Sequence, residues 1–287
     1  MTLCEAQMNS DQQQMRSDTS ASHQRARGAV LVAMKRRDDA TVLDDLRQEG
    51  CLKVRFPRPQ NWAEAVLLNS SGGVAAGDAL SAEIVAGTGT QMCVSAQAAE
   101  RFYRALPDSL PSRVRNTIRV AENATLEWLP QETILFDQSS LDRVLDISLE
   151  EGAQFLGVEM MIFGRLAMGE SVQKVALSDT IRLRRAGRLI WHDAIRFTGN
   201  PSEALAHAAI GQGAIALASL LFAAPDAETR LPALRAALEP FEAGVSLLDG
   251  LLTARILAPE GATLRAAVLA GLAVLRDGRA MPRVWGC

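Results

Sequence analysis

A glycine-rich run that ends in a carboxylate, Leu68-Asn69-Ser70-Ser71-Gly72-Gly73-Val74-Ala75-Ala76-Gly77-Asp78, has the plainest chemical implication in this chain. Glycines let backbone N–H groups close around an anion, and Gly72 and Gly77 have the spacing of a phosphate-binding loop. Asp78-Ala79 stands where such a loop needs Lys followed by Ser or Thr. A carboxylate there repels phosphate. Gly72, Gly73 and Gly77 therefore suit either a tight turn with positive φ or the presentation of Asp78 to a cation.

Further carboxylates lie inside apolar sequence. Glu127 and Glu132 bracket Trp128-Leu129-Pro130-Gln131, Asp137 follows Phe136, Glu159 sits between Val158 and Met160, and Glu170 ends the segment that starts at Gly164. A carboxylate so embedded is paired, binds a metal, or works as an acid or base; the plainer alternative is a strand edge in water. Two carboxylates on a β scaffold also describe a glycosidase, although aromatic content is only 5% and Tyr103 is the sole tyrosine, which leaves few platforms for sugars. The Gly-x-Ser-x-Gly motif of a serine hydrolase is absent. Gly211-Gln212-Gly213 imitates a dinucleotide loop without clearly following a strand. Gln97 to Arg104 gathers Glu100, Arg101, Tyr103 and Arg104, and the arginines suit pairing with carboxylates. His192, in Trp191-His192-Asp193, reads first as a hydrogen-bonded strand histidine and second as a metal ligand. Cys4, Cys51, Cys93 and Cys287 are far apart, as are His23, His192 and His207, so no tight preformed transition-metal site is visible.

The elements that must position these groups are mostly strands. Ala29–Met34 reads as a strand before a charged turn at Lys35–Asp39, and Cys51–Phe56 alternates apolar and charged residues until Pro57 and Pro59. Glu64–Leu68 is a short buried run leading into the glycine loop. Arg113–Val120 puts Val114, Ile118 and Val120 on one face, and Val144, Ile147, Leu149, then Ile181, Leu183, Leu189 and Trp191 continue the theme. Three segments share one grammar: Gly89-Thr90-Gln91-Met92, Asn123-Ala124-Thr125-Leu126 and Gly152-Ala153-Gln154-Phe155, beginning 34 and 29 residues apart. A turn residue, two small or polar residues and an apolar residue open each one, which suits stacked β layers more than a strict solenoid. Convincing helices are confined to the last third: Asp226–Leu238, bounded by Pro225 and Pro240, and Ala262–Arg276 with Leu264, Val268, Leu272 and Leu275 on one stripe. A hairpin around Asp249-Gly250 lies between them. The expected fold is mainly β, with two α-helices in the C-terminal third. Residues 1–25 are polar and expected to be a disordered tail; residues 26–287 form a single folded unit.

Size and charge exclude whole classes. The 287 residues are 48% hydrophobic, enough for a large core, and the net charge of −3 with scattered signs offers no stripe to nucleic acid. No run resembles a transmembrane helix; Ala204–Ala224 reads as buried core. The N-terminus lacks the order of a signal peptide, so the cytoplasm is the expected compartment.

Five motifs in order resemble the UreD (UreH) family of urease accessory proteins: Asn69…Gly72-Gly73…Gly77-Asp78; Gln97-Ala98-Ala99…Tyr103-Arg104; Leu126-Glu127-Trp128-Leu129-Pro130-Gln131-Glu132-Thr133-Ile134; Phe163-Gly164-Arg165…Gly169-Glu170; and Pro282-Arg283-Val284-Trp285. The resemblance runs from about residue 28 to the end. It implies a helix-like stacking of β-strands in layers, no enzymatic activity of its own, and partnership with apo-urease and with UreF-type and UreG-type accessory proteins. It also implies that Ni2+ passes through in transit, with no tightly bound cofactor. By position, Asp78, Glu159 and His192 fall where the resemblance places polar passage residues, while Glu100, Glu127, Glu132 and Glu170 are structural or passage carboxylates. Spaced oxygen ligands suit an ion that must be released; a closed His/Cys site would trap it. The chain departs from the family pattern at Ala76-Gly77, where Gly-Gly is frequent, at Glu100-Arg101, where a small residue and lysine are frequent, and at His192, near which an acidic residue is common.

Overall fold

The computed structural model describes residues 25–59, 62–165 and 168–286. The expected tail, residues 1–25, lies outside the described residues except for Arg25. The described chain opens with two hairpins, β1 (Arg27–Arg37) with β2 (Ala40–Gly50), and β3 (Leu52–Arg55) with β4 (Ala63–Asn69). It then coils through β5 (Ala79–Ala86), β6 (Gln91–Ala96), β7 (Glu100–Phe102), β8 (Ser112–Val120), β9 (Thr125–Leu129), β10 (Thr133–Leu135), β11 (Ser140–Leu149), β12 (Gln154–Phe163) and β13 (Val175–Arg185). Successive laps of this coil stack in parallel. β5, β8, β11 and β13 form one column; β4, β6, β9 and β12 form a second, facing it. A short third column joins β7, β10 and the end of β12. The layered, helix-like stacking is thus present.

The shared grammar of the three segments is the corner of this coil. Gly89, Asn123 and Gly152 all take positive φ, at 67°, 57° and 68°. The amide of Gly89 donates to Glu122 O and that of Asn123 to Glu151 O, so each corner hangs on the next. Beyond the corner, Met92, Leu126 and Phe155 pair in register and are buried. Uneven lap lengths are absorbed elsewhere in the lap, not at this corner.

Antiparallel strands close the stack. β14 (Arg188–Gly199) covers β13 and β2 covers β1, giving a seven-stranded first sheet. After α1 (Pro201–Ala206), β15 (Ala216–Ala223) adds to β12, followed by α2 (Ala227–Leu238), the hairpin β16 (Glu242–Leu248) and β17 (Leu251–Ala258), α3 (Gly261–Leu275) and a 3-10 turn (Arg283–Gly286). Two apolar layers result. One lies between the sheets, with Ile84, Ile118, Ile147 and Leu183 among its buried residues. The other lies between the second sheet and the helices, where Leu156, Val158, Met160 and Leu220 pack with Leu234, Leu264, Val268 and Leu272. β15 is accordingly buried on both faces, and Gly271 lets α3 approach so closely that a Cβ there would lie 2.7 Å from Leu220 Cδ1.

Several expectations need correction. The first strand continues through Lys35–Arg37 and turns at Asp38-Asp39. β2 has no clean alternation, because it is a half-exposed edge strand, and sequence reading passes over it. In β11 the inward residues are Leu141, Arg143, Leu145, Ile147 and Leu149; Val144 points the other way. A third helix, α1, is present; it is six residues long, with Asn200 Oδ1 accepting from the amides of Ser202 and Glu203 as its cap. Among the described residues, no helix is long and apolar enough to cross a membrane.

Candidate functional site

Two of the three columns meet at a second corner, and this corner gathers three of the five sequence motifs. Asn69–Gly73, Gln97–Glu100 and Pro130–Glu132 are its successive laps. The amide of Gln97 donates to Leu67 O and that of Glu100 to Glu132 O. Inside the corner, between the two sheets, lies a cavity of about 470 Å³. Leu52, Leu67, Leu80, Phe102 and Val114 supply much of its wall, while Asn69, Glu100, Gln131, Thr133, Arg143 and Glu159 supply polar groups. Lys53, Arg55 and Arg101 border it as well.

The glycine loop shapes the rim. Gly72 and Gly73 take φ of 77° and 141°, and a Cβ on Gly73 would lie 2.5 Å from the Tyr103 ring. The Tyr103 hydroxyl donates to Gly72 O at 2.6 Å. Asn69 Oδ1 accepts from the Ser71 amide, while its Nδ2 donates to both oxygens of Glu100 at 3.2 Å. Burial pushes the Glu100 carboxyl up from its ordinary pKa, against the opposing pull of Asn69 and the Arg101 backbone.

Glu159 forms the floor. It projects from β12 toward the first sheet, and its Oε1 accepts from Trp128 Nε1 at 2.8 Å. Its Oε2 lies 2.6 Å from Arg143 Nη1. Arg143, on β11, also forks onto Asp179 of β13, with Nε to Oδ1 at 2.8 Å and Nη2 to Oδ2 at 2.7 Å, and donates to Thr133 Oγ1 at 2.9 Å. All three charged side chains are at most 8% exposed. Burial raises the Glu159 pKa, Arg143 opposes that, and the Asp179 charge adds to it. Arg143 and Asp179 went unnoticed in the sequence, yet both were marked: each is a charged residue at the inward parity of an otherwise apolar strand.

The other carboxylates have different surroundings. Asp78 is buried but does not line the cavity; its oxygens accept from the amides of Ala26 and Ala75, both at 2.8 Å, tying the start of β1 to the glycine loop. Such a clamp orders the loop and leaves the carboxylate turned to backbone. His192 stands exposed on β14, at the edge of the first sheet, away from the cavity lining. The structure therefore does not bring Asp78 and His192 to Glu159. Glu127 faces the helices, on the opposite side of the second sheet. Arg276 Nη2 and Arg279 Nη2 bind its oxygens at 2.9 and 2.6 Å. Cys93, beside it, is a free thiol whose pKa burial and the Glu127 charge raise. Glu132 pairs with Arg265 of α3 at 2.7 Å. Arg265 also donates to Trp285 O, and Trp285 Nε1 donates to Leu129 O, so the last family motif docks behind the third one. Glu170 accepts from Arg165 Nε and the Asp137 amide; burial works against these bonds, but they hold its pKa below the ordinary value. Arg165 in turn lies 4.0 Å from the Phe136 ring centroid.

The family model for the UreD urease accessory protein matches residues 26–286. A urease accessory protein UreD from Rhizobium rhizogenes is 41% identical over 267 residues, covering 93% of this chain and 97% of the relative. The protein of that name from Xanthobacter autotrophicus is 43% identical, covering 92% and 91%. One from Agrobacterium fabrum is 39% identical, covering 91% and 92%. On that breadth of match, the chain belongs to the UreD urease accessory protein family.

Proposed function

We infer that this protein serves urease maturation as a non-enzymatic scaffold that binds apo-urease and UreF-type and UreG-type accessory proteins, and that it guides Ni2+ toward the urease active site. Membership of the family supports the maturation role. The observation that carries the nickel reading is the inter-sheet cavity, where the stacked corners bring Glu100 at one level and Glu159 at another to a single space. Glu100 is held by an amide, Asn69, and so keeps oxygen lone pairs for a passing ion. Glu159 stands at the floor, where Trp128 and Arg143 hold its oxygens and an arriving ion must displace one of those contacts. Two carboxylates at separate stations, with amide and hydroxyl groups between them, bind a divalent ion loosely and can release it. Asp78 serves the passage indirectly, by fixing the loop at its rim; His192 has no part in this route.

A hydrolase reading rests on Glu127, and both oxygens of Glu127 are engaged by two arginines, which leaves that carboxylate poorly placed for acid–base work.

The test is urease co-expressed with its accessory proteins, in which this chain carries Glu100→Gln or Glu159→Gln. The variants are expected to enter the complex normally while the nickel content of urease falls. Normal nickel content in both variants would discard the passage.

A further inference from the structure

The floor of the cavity is short of one positive charge. Arg143 is a single guanidinium shared by two carboxylates, Asp179 with two hydrogen bonds and Glu159 with one contact. Buried charges are tolerable only when paired and hydrogen-bonded, and here the pairing is incomplete by one unit. The two halves of the sharing are also unequal. Asp179 is held by a planar fork, the geometry that guanidinium favours. Glu159 is held at one oxygen by Arg143 and at the other by the neutral indole N–H of Trp128. Glu159 is thus the weakly held partner, and it is the one of the two carboxylates that lines the cavity together with Arg143 itself.

We propose that Arg143 is a displaceable counter-ion: it occupies the coordination space beside Glu159 that a divalent cation takes when it arrives, and it pushes that cation off again. This rests on the passage reading above and adds the device that makes the ion's stay short. When a cation approaches Glu159 Oε2, Arg143 keeps its two bonds to Asp179 and gives up one contact. Because Asp179 anchors the guanidinium, it stays next to the ion and repels it. Release is then built into the binding site. Glu159 without Arg143 would be a buried anion held only by the neutral indole of Trp128, with no cationic side chain in contact to compete for it.

Equilibrium dialysis of the full chain against Ni2+ alone tests this. The double variant Arg143→Gln/Asp179→Asn removes one charge of each sign and leaves the cluster's net charge unchanged. It is expected to hold Ni2+ at least about tenfold more tightly than the unmodified chain, since a like charge beside the ion has gone, and to lose that gain when Glu159→Gln is added. Asp179→Asn alone works in the opposite direction: the guanidinium then belongs to Glu159 entirely, and Ni2+ retention drops. This single variant keeps Glu159 and Thr133 as acceptors for Arg143 and stands as the test should the double variant fail to fold. Unchanged retention in a folded double variant, a gain that survives Glu159→Gln, or equal or tighter retention in Asp179→Asn overturns the proposal. If Glu100→Gln and Glu159→Gln leave urease nickel unaltered, the passage itself fails; if they lower it while dialysis shows none of these shifts, only the counter-ion role fails.

Discussion

Glu100 carries opposite expectations for folding and for the proposed passage. Its carboxyl is half-buried against an amide, and the loss of water around it pushes its pKa up. The folded state therefore binds its proton more tightly than the unfolded state, and linkage makes stability fall as pH rises from the ordinary carboxylate range through the folded value. Glu100→Gln removes the ionisable group and keeps an oxygen for Asn69. Thermal unfolding followed across that range is expected to show the variant more stable than the wild type at neutral pH, with the difference vanishing in acid. The same variant is expected to deliver less nickel, so folding and function respond in opposite directions. Individual carboxylates were legible as embedded in apolar sequence, but their partners were not. Asp78 read as a loop carboxylate offered to a cation and Glu127 as an acid embedded in apolar sequence; one is consumed by backbone amides and the other by arginines 149 and 152 residues away in the chain. Distance along the chain hides such partners. Arg143 and Asp179 were nearer the surface of legibility, since counting by twos along Leu141–Leu149 and Val175–Leu183 lands on each of them.

Elements were read more fully than residues. The hairpin at Asp249-Gly250, the two longer helices and the corners at Gly89, Asn123 and Gly152 carry their signals locally, in turn residues and periodicity, and the structure has them. β2 and α1 lack strong local signals, one being an exposed edge and the other a short helix held by its cap. The docking of the C-terminal turn could not be read at all, because it depends on Trp285 reaching Leu129 O and Arg265 reaching Trp285 O. That contact makes a prediction. Trp285 is 5% exposed, and Trp285→Ala is expected to cost roughly 3–5 kcal/mol in urea unfolding, as for a fully buried aromatic. Trp285→Phe keeps most of the packing but leaves the Leu129 carbonyl without its donor, at about 1–3 kcal/mol. Equal losses in the two variants would mean that the hydrogen bond, not the packing, holds the turn.

The whole molecule is a parallel coil closed by antiparallel strands. Parallel ladders join residues a full lap apart, so loop closure must precede most stabilising contacts. Refolding from denaturant is expected to be slow, on the order of seconds or longer, with both apolar layers forming in one late step; stopped-flow fluorescence of the four tryptophans would follow it. A dominant submillisecond phase would contradict that picture. The stacked corners have one more implication. Each lap presents to its neighbour a Gly or Asn at positive φ and an apolar residue opening a strand, so a duplicated segment spliced in at Asn123 would meet matching edges above and below. Length in this architecture is adjustable in whole laps. The terminal strands β2 and β14 run antiparallel to the laps and offer no such matching edge.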